Sequence, residues 1–193
     1  ANAINSVYSK LLDYIILNLI ENNIESSHLQ FAYKKEFSTT LCSFLVVETI
    51  QYYRSRGSNV LALLLDATKA FDRVKYSKLF TFLIERDVCP VIIRLIMNMH
   101  KLNSAVVNWK GTKSESFPLT DGVKQGGVIS PLLFSVYLDP LLDKLHATKQ
   151  GCFMGNICAN VFAYADDIIV LSPTCKALKV LIHICEEYSE DGN

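Results

Sequence analysis

A chain of 193 residues is long enough for one domain with a sizeable core or for two small lobes. Half of the residues are hydrophobic and a fifth are charged, a globular composition that excludes a disordered tail. Basic and acidic side chains balance at 19 each, so the net charge gives no indication of a nucleic-acid partner. Basic residues outnumber acidic ones in 66–125, and acidic residues outnumber basic ones in 126–193. Ordinary solvated surface charge explains this distribution.

The six cysteines form no C-x-x-C pair and have no zinc-ligand spacing with the four histidines. No basic-then-apolar signal segment opens the chain, and the longest apolar runs, such as Leu61–Leu65, are too short to span a bilayer. We therefore expect an intracellular protein with free, buried thiols in a reducing compartment.

Apolar periodicity, capping residues and turn residues predict the elements. In chain order these are helices over 6–21 and 41–56, a strand over 60–66, helices over 76–86 and 90–101, a hairpin over 104–119, a helix over 131–145, a strand pair over 160–172 and a helix over 174–188. The 60–66 run is almost wholly apolar, which predicts a strand buried on both faces. Pro140 should kink or divide its helix. Strands and helices do not alternate regularly, which predicts an α+β fold with an antiparallel sheet packed on helices.

Two adjacent acids, Asp166 and Asp167, stand between apolar segments in the sequence YADDIIV. Acidic residues are poor in strand interiors, so the pair is predicted at the tip of a tight hairpin. Taken alone, such a pair is more often a simple turn without further function.

A third acid, Asp66, closes the predicted 60–66 strand in LLLDATKAFDRV. The alternative is that Asp66 caps the next helix and that Asp72 pairs with a neighbouring base. Three carboxylates brought together without a base would repel one another, shift their pKa values or bind a hard cation. Oxygen ligands suit Mg²⁺, and two such ions about 3.5–4 Å apart activate a 3′-hydroxyl and stabilise a leaving pyrophosphate.

A glycine-rich turn, in GVKQGGVISPLLF (122–134), is the last segment whose residues are suited to binding a ligand. Gly122, Gly126 and Gly127 allow the backbone to approach a ligand closely, and Lys124 and Gln125 supply donors just before a helix. An ordinary polar loop is the alternative interpretation.

Together and in this order, these segments resemble the palm of reverse transcriptases. LLLDATKAFDRV is similar to motif A, GVKQGGVISPLLF to motif B, and FAYADDIIVL to motif C with its Y-x-D-D box. LDATKAFDRV, GVKQGGVISP and QFAYKKEFST are most similar to non-LTR (LINE-type) retrotransposon polymerases, and the resemblance covers nearly the whole chain. It implies a right-hand polymerase palm (60–193) preceded by fingers-side helices (1–59).

The resemblance implies that Asp66, Asp166 and Asp167 are the catalytic residues and the ligands of two Mg²⁺ ions, for which Mn²⁺ can substitute. Asp66 and Asp166 would be the primary ligands.

The resemblance also assigns residues around the reacting groups. Phe71 would sit under the incoming sugar and exclude a 2′-hydroxyl, although a core aromatic is the alternative for this position. Gln125 and Gly126 would line the nucleotide pocket, Tyr164 would lie near the primer end, and Lys124 would contact the primer and template.

The chain departs from the family pattern at Ala32, where glycine is usual; Lys34 and Lys35, just after it, are candidates to contact template phosphates. The motif D lysine, a thumb and an endonuclease are expected to be missing, which makes the chain a partial fingers-plus-palm.

The implied activity is transfer of nucleotides from dNTPs to a DNA primer on an RNA template, in a cytoplasmic ribonucleoprotein and in the nucleus. A catalytically inactive remnant, or a domesticated fragment that binds nucleic acid or protein, is the alternative. An RNA-templated RNA polymerase is disfavoured by Ala165, because those palms carry Gly-Asp-Asp in motif C.

Overall fold

The computed structural model describes residues 7–21, 24–66, 70–101, 104–124 and 126–190. The chain separates into two compact units. Unit 1 comprises residues 1–25 and 69–137, and unit 2 comprises residues 26–68 and 138–193. The proposed division at residue 59 into fingers-side helices and palm stays a prediction.

The helices begin and end within two residues of their predicted bounds. They are α1 (Val7–Ile20), α2 (Thr39–Arg54), α3 (Tyr76–Glu85), α4 (Pro90–Lys101), α5 (Ser130–Ala147) and α6 (Cys175–Glu190), with a short 3₁₀ helix at Ala70–Arg73. Ser38 caps α2 as expected, because its hydroxyl accepts a hydrogen bond from the Leu41 N–H at 3.1 Å.

The strands pair antiparallel throughout. They are β1 (Leu61–Asp66), β2 (Ser104–Ala105), β3 (Asn108–Trp109), β4 (Thr112–Lys113), β5 (Phe117–Pro118), β6 (Phe153–Met154), β7 (Ile157–Cys158), β8 (Val161–Tyr164) and β9 (Asp167–Ser172). Unit 1 contains the pairs β2–β5 and β3–β4, which form the predicted 104–119 hairpin. Unit 2 contains a three-stranded sheet of order β1-β9-β8 and the β6–β7 hairpin, which the sequence patterns had not indicated. The α+β prediction is confirmed.

The prediction that the 60–66 strand is buried on both faces is wrong. β1 lies at the edge of its sheet, and its exposed residues alternate with half-buried ones, Leu64 being 75% exposed. An unbroken apolar run is typical of central parallel strands, which helices cover on both faces. Here the strand is antiparallel, and α6 packs against β1 and β9.

The core of unit 2 forms where α2 meets the sheet. It includes Phe31 and Cys42 with Phe162 of β8 and Leu171 of β9. All six cysteines are free, but only Cys42 and Cys152 are buried, so the expectation of buried thiols holds for those two.

Pro140 does not divide its helix, because α5 continues through it from Ser130 to Ala147. Proline removes one intrahelical hydrogen bond. The neighbouring side chains of Leu138, Leu141 and Leu142 are buried, and their packing offsets that loss. Among the described residues, every helix falls short of the length and hydrophobicity that a bilayer crossing requires.

Candidate active site

The register of the sheet in unit 2 places Asp66 directly opposite Asp167. Asp66 is the last residue of β1, and its antiparallel partner is the first residue of β9. On the other side of β9, Tyr164 is also the partner of Asp167. Directly opposed residues of antiparallel strands project their side chains to the same face. Asp66, Asp167 and Tyr164 therefore form one row across the end of the sheet.

Asp166 occupies the turn that joins β8 to β9. The turn residues are Ala165 and Asp166, so Asp167 belongs to the strand rather than to the hairpin tip that we predicted for both acids. Ala165 has φ +57°, in the left-handed region that non-glycine residues seldom adopt. Asp166 is half-buried, whereas Asp66 and Asp167 are exposed.

The donor chemistry of these three residues fits a hard divalent cation. All their ligating atoms are carboxylate oxygens, and no described basic side chain forms an ion pair with any of them. Among the described residues, however, no group of three or more potential ligands is close enough together to hold a metal ion. The pairing of Asp66 with Asp167 is thus observed, and convergence of all three carboxylates stays a prediction.

Gln30 is hydrogen-bonded to the turn between β8 and β9, a contact that the sequence patterns did not indicate. Its side chain is 0% exposed. Its amide nitrogen donates to the Ala165 carbonyl at 3.1 Å, and its amide oxygen accepts from the Ala165 N–H at 2.9 Å. A glutamine between apolar residues, as in LQFAY, is the only local signal for such a buried contact.

Tyr33 lies beside the same turn. Partial burial, then the negative charge of Asp166, and then Tyr164 raise the pKa of Tyr33 above its ordinary value of 10. Lys34, a candidate template contact, has its ammonium group hydrogen-bonded to the carbonyls of Ser26 (3.0 Å) and Ser27 (2.6 Å).

In unit 1, the start of the motif B segment passes directly over the end of motif A. The Val123 N–H donates to the Phe71 carbonyl at 2.8 Å, and the Gly122 N–H donates to the Val74 carbonyl at 2.9 Å. Gly122 has φ +89°, and a β-carbon there would lie 2.9 Å from the Cα of Asp72. Only glycine permits this close crossing of two backbones.

Tyr76 and His100 support the same segment. The Tyr76 hydroxyl donates to the Gly122 carbonyl at 2.8 Å, and burial followed by the charge of Asp121 raises the pKa of Tyr76 to about 12. The buried His100 ring packs edge-on against Tyr76. Its Nδ1 lies 2.8 Å from the Ile96 carbonyl, and because a carbonyl only accepts, Nδ1 carries the proton.

Asp13 is hydrogen-bonded to the second half of the motif B segment. This α1 residue is 2% exposed, and its carboxylate accepts a hydrogen bond from the Val128 N–H at 3.1 Å. No pattern in the sequence connects Asp13 with the glycine-rich turn.

The sequence-predicted nucleotide-pocket and primer-template residues of unit 1 have different surroundings. Phe71 is half-buried and stacks on Phe134 at 4.6 Å between ring centroids, so it is at least partly the core aromatic of the alternative interpretation. Gly126 is exposed with φ +78°, and Lys124 is half-buried. Gln125 lies outside the described residues.

Comparison with known proteins identifies the family. The family model for reverse transcriptase (RNA-dependent DNA polymerase) matches residues 2–192. The chain is 32% identical, over 118 residues, to a Pol polyprotein from the type-2 retrotransposable element R2DM of Drosophila melanogaster; the match covers 61% of this chain and 11% of that protein. It is 28% identical, over 170 residues, to a Pol polyprotein from the type-1 retrotransposable element R2 of Popillia japonica, covering 87% of this chain and 24% of that protein.

The fold is similar to that of a telomerase from Candida albicans, solved with a fragment of telomeric RNA. The TM-score is 0.63 at 11% identity, and the match covers 95% of this chain and 32% of that one.

The chain spans between 11% and 24% of the length of the two retrotransposon relatives. Its antiparallel sheet packed on helices is a polymerase palm. The chain belongs to the reverse transcriptase family, within the non-LTR retrotransposon group.

Proposed function

We propose that this chain is the catalytic segment of an RNA-directed DNA polymerase, in which Asp66, Asp166 and Asp167 hold the divalent cations for nucleotidyl transfer. The observation that carries the proposal is the register of the sheet, in which Asp66 is paired with Asp167 and Asp166 occupies the adjoining turn. Family membership supplies the reaction type, and this pairing supplies acids at the end of one sheet.

The reaction joins the primer 3′-oxygen to the α-phosphorus of a dNTP and breaks the bond from that phosphorus to pyrophosphate. Bound Mg²⁺ or Mn²⁺ supplies charge neutralisation for the attacking and leaving oxygens. The protein's contribution is positioning, since phosphoryl transfer requires little covalent chemistry from side chains. A turn anchored by a buried side chain suits that requirement, because an acid on it is held in one orientation.

Family likeness assigns nucleotide and primer-template contacts to residues of unit 1. Phe71 would contact the sugar of the dNTP, and Gln125 and Gly126 would contact the nucleotide. Lys124 is proposed as a primer-template contact, together with Tyr164 of unit 2. The hydrogen bonds that fix Gly122 and Val123 to motif A support a preorganised motif B segment.

The proposed partners are an RNA template, a DNA primer and dNTPs. We propose that the parent protein acts in a cytoplasmic ribonucleoprotein and in the nucleus, where a retrotransposon's copy is made and inserted.

Primer extension tests the function. The native polypeptide that carries this chain is given an RNA template, a DNA primer, dNTPs and Mg²⁺, and wild type is compared with Asp166→Asn. Asp87→Asn is the matched control, because Asp87 is an exposed acid at φ +54°, a conformation that asparagine tolerates. We expect extension by wild type and by Asp87→Asn and none by Asp166→Asn. Extension by Asp166→Asn at the wild-type rate, or no extension by wild type, would reject the proposal.

A further inference from the structure

We infer that Gln30 is the positioning residue of the Ala165–Asp166 turn, and that its side-chain amide fixes the direction in which Asp166 and Asp167 present their carboxylates. This inference rests on the proposed function for its consequence at the cation site, but the structural contact can be tested without it.

The segment around Gln30 is attached to the outer edge of the sheet. Gln30 forms a parallel bridge with Ala163 of β8. The Phe31 N–H donates to the Ala163 carbonyl at 2.8 Å, and the Ala163 N–H donates to the Leu29 carbonyl at 2.9 Å. The backbone position of Gln30 relative to β8 is therefore set on both sides.

From this fixed position the Gln30 amide satisfies both backbone groups of Ala165. The central residues of a tight hairpin lie beyond the strand ladder, so their N–H and C=O groups need other partners. The amide oxygen of Gln30 accepts from the N–H groups of Ala165 and Ala32 at 2.9 and 3.0 Å, and the amide nitrogen donates to the Ala165 carbonyl. Two N–H donors facing one atom leave a single orientation for this amide.

The contact matters because Ala165 is in a conformation that alanine seldom adopts. At φ +57° the turn residue relies on its surroundings to hold the backbone in place. Removing Gln30 would release both hydrogen bonds of Ala165 and allow the following Asp166 to reorient.

The test substitutes Gln30→Met, which keeps the length of the side chain and removes both hydrogen-bonding groups. Asn160→Leu is the matched control. Asn160 is likewise 0% exposed, and its amide donates to the carbonyls of Leu145 at 2.9 Å and Gln150 at 2.8 Å, away from Ala165. The variants are made in the 193-residue chain. Hydrogen exchange of the Ala165 amide and Mn²⁺ binding, from the spin resonance of the free ion, are measured.

We expect the Ala165 amide of Gln30→Met to exchange about tenfold faster than in wild type, because hydrogen bonds of ordinary strength are lost. We expect Mn²⁺ affinity to fall by a similar factor. Asn160→Leu should lower stability while leaving both quantities unchanged. Equal exchange of the Ala165 amide in the two variants, at matched stability, would overturn the inference.

A second variant covers the outcome in which Gln30→Met does not fold. Gln30→Leu also places an apolar side chain at this buried position and removes the acceptor of the Ala165 N–H, so exchange of the Ala165 amide should again exceed that of Asn160→Leu. Unchanged exchange in this variant would also overturn the inference. If wild type binds no Mn²⁺ but the exchange results hold, the proposed cation site fails and the role of Gln30 in the turn stands.

Discussion

Asp66 is the antiparallel partner of Asp167, so two acids face one another at the end of the sheet with no described basic side chain paired to either. Directly opposed like charges destabilise a strand pair. We therefore predict that Asp66→Asn raises the free energy of unfolding measured in EDTA by a few tenths of a kcal/mol, since both side chains are exposed. Urea unfolding of wild type, Asp66→Asn and the control Asp87→Asn measures this. A loss of stability specific to Asp66→Asn would contradict the predicted repulsion.

Asp13→Ala should lower the free energy of unfolding by about 1–3 kcal/mol, because the partly buried Val128 N–H loses its acceptor. Asp13→Asn should lose less, since an amide oxygen can still accept that hydrogen bond. In denaturant unfolding, the free energy of unfolding should decrease in the order wild type, Asp13→Asn, Asp13→Ala. Equal losses for the two variants would show that the charge of Asp13, rather than its bond to Val128, provides the stability.

Gly122→Ala should destabilise the protein more than Gly111→Ala. Both glycines have nearly the same backbone angle, φ +89° and φ +87°, so both variants incur the left-handed cost of about 1–2 kcal/mol. Only at Gly122 would the new methyl group meet another backbone, that of Asp72, which adds roughly 1–3 kcal/mol of overpacking. Urea midpoints compare the two directly, and equal midpoints would refute the close crossing of motifs A and B.

Stability should depend on pH through His100. Burial lowers the pKa of His100 below its usual 6.5, and the positive charge of Lys124 lowers it further. The hydrogen bond to the Ile96 carbonyl and the negative charge of Asp13 raise this pKa, but the net shift is downward. A lowered folded pKa means that the unfolded chain binds the proton first as the pH falls. The contribution of neutral His100 is therefore fully present above pH 6.5 and is lost as the pH falls through the lower, folded pKa.

The measurement for His100 is the unfolding free energy of wild type and of His100→Gln at several pH values. Glutamine cannot gain a proton but retains a donor for the Ile96 carbonyl. The stability of wild type relative to His100→Gln should fall on acidification below about pH 6.5. If the unfolding free energies of wild type and His100→Gln change with pH in the same way throughout, the pH dependence does not come from His100.

Local patterns in the sequence predicted the elements well and the contacts between distant segments poorly. Helix bounds followed from periodicity and from caps such as Ser38, and the hairpin around Lys110 and Gly111 followed from its turn residues. The apolar run of β1 led to the wrong prediction that this strand is buried on both faces, because a strand buried on both faces and an edge strand can have the same apolar sequence.

Of the candidate site, the sequence identified the acids but not what holds them. Gln30 contacts a residue 135 positions away, and Asp13 contacts one 115 positions away. Neither contact leaves a periodic or spaced signal, because tertiary packing alone decides which distant backbone groups need a partner. The sequence predicted Asp66 at the end of an apolar strand but Asp167 at the hairpin tip, so the pairing of these two residues within the sheet was not predicted.

Mn²⁺ titration of the 193-residue chain tests most directly whether Asp66 and the Asp166–Asp167 turn form one cation site. Free Mn²⁺ is followed by its spin resonance in wild type, Asp66→Asn, Asp166→Asn and the control Asp87→Asn. Saturable binding by wild type and Asp87→Asn, lost in both other variants, is the predicted result. Binding by Asp66→Asn and Asp166→Asn with wild-type affinity would contradict the shared site.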